Sequence, residues 1–240
     1  MSQIKMFFQT WGTQLHDTFM GEERYKWLLE GLGNTLIITL GALIIGVILG
    51  TIIAVIKYFA EDCKPLRFAA KICDIYVTTI RGIPVVVLLL IFYYLIMASS
   101  DNGVLVGIIT FGINSAAYMA ELIRSGINAV DAGQMEAGRS LGMSKIQTMG
   151  KIIFPQAIKN ILPAIGNEMI ALLKETAVAG YVAVRDLTRA GNLIRNNTYD
   201  AFNPLIAVAL VYLILVILLT RALAVLEKRL SKSDRSKKSA

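Results

Sequence analysis

Five apolar stretches, each long enough to cross a bilayer, constrain this chain more than any other feature. They run from about Leu29 to Ile56, Phe68 to Met97, Val104 to Val130, Ala157 to Val184 and Pro204 to Leu226. About 18 apolar residues in a row already suggest a membrane-spanning helix. The runs are continuous and do not alternate, which argues against a membrane β-barrel. Only 17% of the 240 residues are charged and 55% are hydrophobic. Ordinary soluble domains carry roughly 25% charged residues. The expected class is an all-α polytopic membrane protein with five transmembrane helices.

The net charge of +7 could suggest a nucleic-acid partner, but its distribution argues for none. The basic residues cluster beside the apolar runs and in the tail. Fourteen Lys and Arg fall in the first loop, the loop after the third run and the tail; six fall on the opposite side. The positive-inside rule then puts the N-terminus outside and the C-terminus in the cytoplasm. Residues 1–28 hold Phe7, Phe8, Trp11, Phe19, Tyr25 and Trp27 among charges, the aromatic signature of a membrane interface. They read as an extracytoplasmic amphipathic segment, with no cleavable signal pattern. Residues 29–226 form the membrane domain, with a cytoplasmic loop at 131–155. Residues 227–240 form a basic cytoplasmic tail, expected to lack structure beyond Leu230. Cys63 and Cys73 make neither a metal spacing nor a disulfide framework.

Polar groups inside the apolar runs are the candidate site, because charges at membrane depth face a bundle interior or a watery cavity. Arg81 precedes Gly82-Ile83-Pro84, where the missing proline donor and the loose glycine break a helix. Arg81 therefore snorkels to an interface or faces a cavity. The third run holds Asn114, Tyr118, Glu121 and Arg124; the last two can pair with each other on one helix face or contact a ligand. The fourth run holds Glu168, Lys174 and Glu175, the two acids two turns apart and so on one face. An ion pair between Lys174 and Glu175 is the simplest account of those neighbours. Gly46 and Gly50 in the first run form a G-x-x-x-G pair suited to close packing within the subunit.

Between the third and fourth runs lies the polar stretch Glu136–Pro155, EAGRSLGMSKIQTMGKIIFP. Leu141, Ile146 and Met149 fall at roughly helical spacing, which gives it one greasy side. Such a side docks a partner or lies on the lipid surface. The stretch resembles the cytoplasmic EAA signature loop of ABC importer permeases: Glu136-Ala137-Gly138, three residues, Gly142, nine residues, then Ile-x-x-Pro ending at Pro155. Gly138 departs from the family's second alanine and Phe154 from its leucine. The resemblance implies that this loop docks into an ATPase subunit, with Glu136, Ala137, Gly138, Gly142 and Pro155 at the contact.

Further stretches resemble the polar amino-acid uptake branch of that family. They are Arg81-Gly82-Ile83-Pro84, Ala117 to Ile127, Gly133 to Ala137, Leu172 to Ala177 and Asp186-Leu187-Thr188. Together they cover roughly residues 30–230, in order and at the right spacing. The resemblance implies a five-helix, type I ABC importer permease in a bacterial inner membrane. It pairs with a second copy or a paralogue, with two ATPase subunits, and with an extracellular or periplasmic binding protein that delivers an amino acid. This chain would bind no cofactor; ATP and Mg would sit on the ATPase, and no Walker A pattern occurs here. Ile83 and Glu175 stand where family members have Thr and Asp, changes that bear on the ligand and not on the fold.

An amino acid carries one carboxylate and one ammonium. Arg81 suits the first through a two-point fork, and Glu168 or Glu175 the second. Thr78, Asn114 and Tyr118 offer neutral contacts, and Glu121 and Lys174 complete the candidate set. A secondary transporter is the competing reading, against which stand the signature loop and the lack of an inverted repeat. An intramembrane enzyme would need a motif such as H-E-x-x-H or G-x-S-x-G, and neither occurs. A degenerate permease half, whose paralogue binds the substrate, keeps the same fold.

Overall fold

A computed structural model describes residues 2–60 and 63–238, with side chains described for 10–60 and 63–230. Lys5, Phe7 and Phe8, counted among the outer residues, and the tail beyond Leu230 therefore have side chains outside the described set. Among the described residues the elements are helical and no strand occurs.

The first helix, α1 (Ser2–Met20), ends at a tight turn at Gly21–Glu23, and α2 (Tyr25–Phe59) follows. At 35 residues α2 is about 52 Å long, more than the ~30 Å thickness of a hydrocarbon layer. It packs along α5 (below) through its glycines. A Cβ on Gly46 would stand 2.7 Å from Ser115 Oγ, and one on Gly50 2.5 Å from Met119 Cβ. The G-x-x-x-G pair thus serves packing within the subunit. The opposite face of α2 (Ile37, Leu40, Ile44, Ile48 and Ile52) is exposed, as a lipid-facing or subunit-facing side must be.

The second run is a bent pair and not one straight span. Helix α3 (Lys64–Gly82) and α4 (Val85–Ile91, extended by a π turn at Phe92–Ile96) meet at 107°. The cause is local. Pro84 forces the residue before it out of the helical region, and Ile83 sits at φ −99, ψ 129. Helix α5 (Gly103–Asn128) is the hub: 61% of its most apolar stretch is buried, against 28% in α2.

The polar loop folds as α6 (Gly133–Ser140), a turn, and α7 (Lys145–Thr148). A π turn at Met149–Ile153 joins α7 to α8 (Phe154–Glu175). The wider turn comes just before Pro155, which has no N–H to give a regular ladder. Leu141 and Ile146 are exposed, but Met149 is buried with Ile123, Ile153 and Ile161. The expected single greasy face is therefore split, because the Leu141–Met143 turn breaks the helical register.

The fourth run becomes α8 plus a tight 3-10 segment at Thr176–Val182 that ends at Ala183. Among the described residues three helices (α2, α5 and one below) are long and apolar enough to cross a membrane, four if the bent pair counts as one span. Helix α8 carries Lys159, Glu168, Lys174 and Glu175, which lower its apolarity.

The polar segment that follows Ala183 is a folded element. Helix α9 (Leu187–Thr198) buries Leu187, Ala190, Gly191 and Ile194 against its neighbours. Asp186, fully buried, caps it by accepting the backbone N–H of Thr188 at 2.9 Å and of Arg189 at 3.2 Å. Helix α10 (Phe202–Lys238) closes the chain. It continues to Lys238, into the stretch beyond Leu230 expected to lack structure, of which the last two residues lie outside the described set; a helix already nucleated by an apolar span extends without a second nucleation cost. Helix α1 is tied to this corner: Trp11 Nε1 donates to Asn203 Oδ1 at 3.1 Å and Thr18 Oγ1 to Asp200 Oδ2 at 3.0 Å.

Candidate functional site

The break at Ile83–Pro84 leaves Arg81 exposed at the C-terminal end of α3, beside α5. Its guanidinium lies 5.0 Å from the centre of the Tyr118 ring, a cation–π contact. No ion pair to Arg81 occurs among the described residues, so its fork is available to an anion. A cavity of about 340 Å³ opens here, lined by Arg81, Ile83, Val85, Asn114, Tyr118 and Glu175. The break thus builds the wall of a polar cavity and also ends two helices.

Glu175 comes to this cavity from the last turn of α8, where Asn114 Nδ2 donates to its Oε2 at 3.5 Å. Two turns back, Glu168 accepts from Ser115 Oγ at 3.3 Å. Glu168 does not line the cavity, although it lies close to Arg81 electrostatically. Lys174 is exposed and does not line the cavity. No Lys174–Glu175 ion pair forms among the described residues, because neighbours on a helix point about 100° apart.

A second cavity of about 490 Å³ shares Arg81, Gly82 and Tyr118 with the first, and adds Lys57, Asp74, Thr78 and Glu121. Here the expected Glu121–Arg124 pair is present, with Nη2 to Oε2 at 2.7 Å. It belongs to a larger network: Lys57 Nζ stands 2.8 Å from Glu121 Oε1 and 2.8 Å from Asp74 Oδ1. The network ties α2, α3 and α5 together. The sequence reading singled out neither Lys57 nor Asp74. Pairing between helices leaves no mark in local spacing.

The structure therefore brings Arg81, Asn114, Tyr118 and Glu175 to one cavity and Thr78, Arg81, Tyr118 and Glu121 to its neighbour. Glu168 stands behind them, and Lys174 lies outside both.

The loop residues form a separate surface. Glu136, Ala137 and Pro155 are exposed, and Gly138 is buried. Gly142 has φ +80. Its N–H bonds Arg139 O at 3.0 Å and the next N–H, of Met143, bonds Gly138 O at 3.1 Å, the Schellman pattern of a helix end. Ser144 and Gln147 then form a capping box that starts α7. Gly142 is thus where α6 stops and reverses, and the turn exposes Leu141 (80%) and Ile146 (71%) together.

The network at the other end was not foreseen in the sequence. Thr35 Oγ1 accepts the Leu187 N–H at 3.1 Å, Asn34 donates to Arg185 O at 2.9 Å, and Arg185 pairs with Glu30 at 2.6 Å. These fasten α9 onto α2 and border a cavity of about 710 Å³ that includes Glu30, Asn34, Asp101, Arg185 and Arg189.

Comparison with known proteins bears on this arrangement. A solved structure described as an amino acid ABC transporter with histidines matches at TM-score 0.79 and 40% identity, over 88% of this chain and 98% of that one. An inward-facing methionine ABC transporter shares the fold at TM-score 0.74 and 21% identity, over 85% of this chain and 96% of its own. The arginine transport system permease of Bacillus subtilis is 36% identical over 86% of this chain and 94% of its own length. A Rickettsia bellii permease named for a glutamine transport system is 37% identical over 85% of this chain and 92% of its own. Residues 43–232 match the family described as the binding-protein-dependent transport system inner membrane component. The chain belongs to that family, and is a membrane permease subunit of a transport system and not an enzyme.

Proposed function

We propose that this chain is the permease subunit of an ATP-driven importer for a polar amino acid, and that its own cavity holds the substrate. The observation that carries this is the placement of one cation and one anion, Arg81 and Glu175, on the lining of a single cavity beside a broken helix. That is the charge pattern of an amino acid in mirror image. Relatives named for glutamine and arginine transport support the substrate class.

In this reading five spans cross a bacterial inner membrane: α2, the bent α3–α4 pair, α5, α8 and α10. The N-terminus lies outside and the tail inside. Helix α1, α9 and the cavity bordered by Arg185 and Arg189 face an extracellular binding protein. The exposed Leu141, Ile146 and Glu136 of the loop face the ATPase. A second permease, of the same or a paralogous kind, completes the pore. ATP and Mg stay on the ATPase, whose binding energy shifts the permease between inward-open and outward-open states.

ATP hydrolysis by the reconstituted complex, with its ATPase and binding protein, tests this. Adding polar amino acids in turn should stimulate hydrolysis for one group of them, and Glu136→Ala should remove the stimulation. An ATPase that never associates with this chain would overturn the importer reading.

A further inference from the structure

Beside the cavity that holds Arg81 and Glu175, the second cavity presents its own charge pattern, and the same Arg81 lies on its boundary. Helix α5 orders the two. Asn114 lines only the first, Tyr118 both, Glu121 only the second. Seven residues of helix separate Asn114 from Glu121, about 10 Å along the axis. In the proposed orientation the second cavity is the one nearer the cytoplasm.

Its wall already carries an ion-pair network. The Lys57 ammonium lies between Asp74 Oδ1 and Glu121 Oε1, 2.8 Å from each. The wall therefore holds a primary ammonium between two carboxylates, and Arg81 borders the same space with no ion pair among the described residues. A free amino acid carries the same ammonium and, on the same carbon, a carboxylate that Arg81 can fork.

We propose that this inner cavity is a second, release-side station for the transported amino acid. The substrate carboxylate remains on Arg81 while its ammonium moves from Glu175 to the Asp74–Glu121 pair, where it competes with Lys57. Arg81 is the shared pivot, so the two stations are occupied in turn and not together. Lys57 is a tethered competitor: it is always present at high local concentration, so it keeps the inner station weak and favours release. Lys57 and Glu121 are 17% and 23% exposed, whereas Asp74 is 58% exposed and is the open side through which a second ammonium can reach the pair. This inference rests on the proposed function.

The test uses cysteine labelling of the full permease–ATPase complex in which Cys63 and Cys73 are replaced by serine. Thr78→Cys reports the inner cavity alone and Ile83→Cys the outer cavity alone. Maleimide labelling is measured with and without millimolar L-glutamine or, separately, L-arginine. Two stations predict that the same amino acid slows labelling at both positions. They also predict that Lys57→Gln deepens the protection at Thr78→Cys several-fold and slows release of labelled amino acid. Protection at Ile83→Cys alone, unchanged by Lys57→Gln, would overturn the inner station and leave the proposed function standing. Protection at neither position by any polar amino acid would overturn both. Should Thr78→Cys fail to assemble, the Lys57→Gln release rate decides: no slowing counts against the inner station.

Discussion

Gly138 and Thr148 share a space that holds only one side chain. A Cβ on Gly138 would stand 2.7 Å from Thr148 Oγ1 and nearer still to its Cγ2. Thr148 is fully buried and donates to Ser144 O at 3.0 Å. The glycine that departs from the alanine of the family loop is therefore a packing partner of Thr148. Gly138→Ala should cost about 1–3 kcal/mol by overpacking and weaken ATPase coupling. The Thr148→Ala change added to it should recover most of the loss, read as amino-acid-stimulated ATP hydrolysis and as thermal stability of the complex.

The structure sorts two neighbouring residues that sequence reasoning grouped together. Glu175 lines the cavity with Arg81, and Lys174 is exposed away from it. Lys174→Ala should leave amino-acid binding to the complex within about twofold, a change below ~0.5 kcal/mol. Glu175→Gln should weaken it at least about tenfold, ~1.4 kcal/mol. Equal effects at the two positions, measured by direct binding, would contradict the sorting.

Two aspartates that flank α9, Asp186 and Asp200, are shifted in opposite directions. Burial pushes the Asp186 carboxyl up, and the N–H groups of Thr188 and Arg189 only partly offset this. At Asp200 burial also pushes upward, but hydrogen bonds from Asn203, Thr18 and the Phe202 N–H prevail and hold the carboxyl below its usual range. The depressed group stabilises the fold above its unfolded pKa and loses that contribution as pH falls through the folded one. The α1–α10 corner should therefore hold at neutral pH and loosen only in acid. Asp200→Asn should remove the acid step, seen as Trp11 fluorescence that no longer changes as pH is lowered below about 4.

Much of this molecule was legible in the sequence because its signals are local. The break at Ile83–Pro84, the Glu121–Arg124 pair and the packing of Gly46 and Gly50 each rest on neighbours or on fixed spacing. The misses are contacts between distant parts of the chain. Lys57 meets Asp74 and Glu121 across three helices, and Thr35 meets the Leu187 N–H across 152 positions. Met149 was assigned to an outward face because periodicity was carried across the turn at Gly142, where helical register ends. Nothing in the sequence reading marked α9 as a helix, because its buried apolar residues, Leu187, Ala190 and Ile194, are few and lie between charges.

The central claim is that this chain's own cavity binds an amino acid between Arg81 and Glu175. Equilibrium binding of a radiolabelled polar amino acid to the purified permease–ATPase complex, without binding protein, tests it most directly. The account predicts saturable binding that Arg81→Ala weakens at least about tenfold, ~1.4 kcal/mol, while the complex stays assembled. Binding unchanged by Arg81→Ala would contradict it and place the substrate on another subunit.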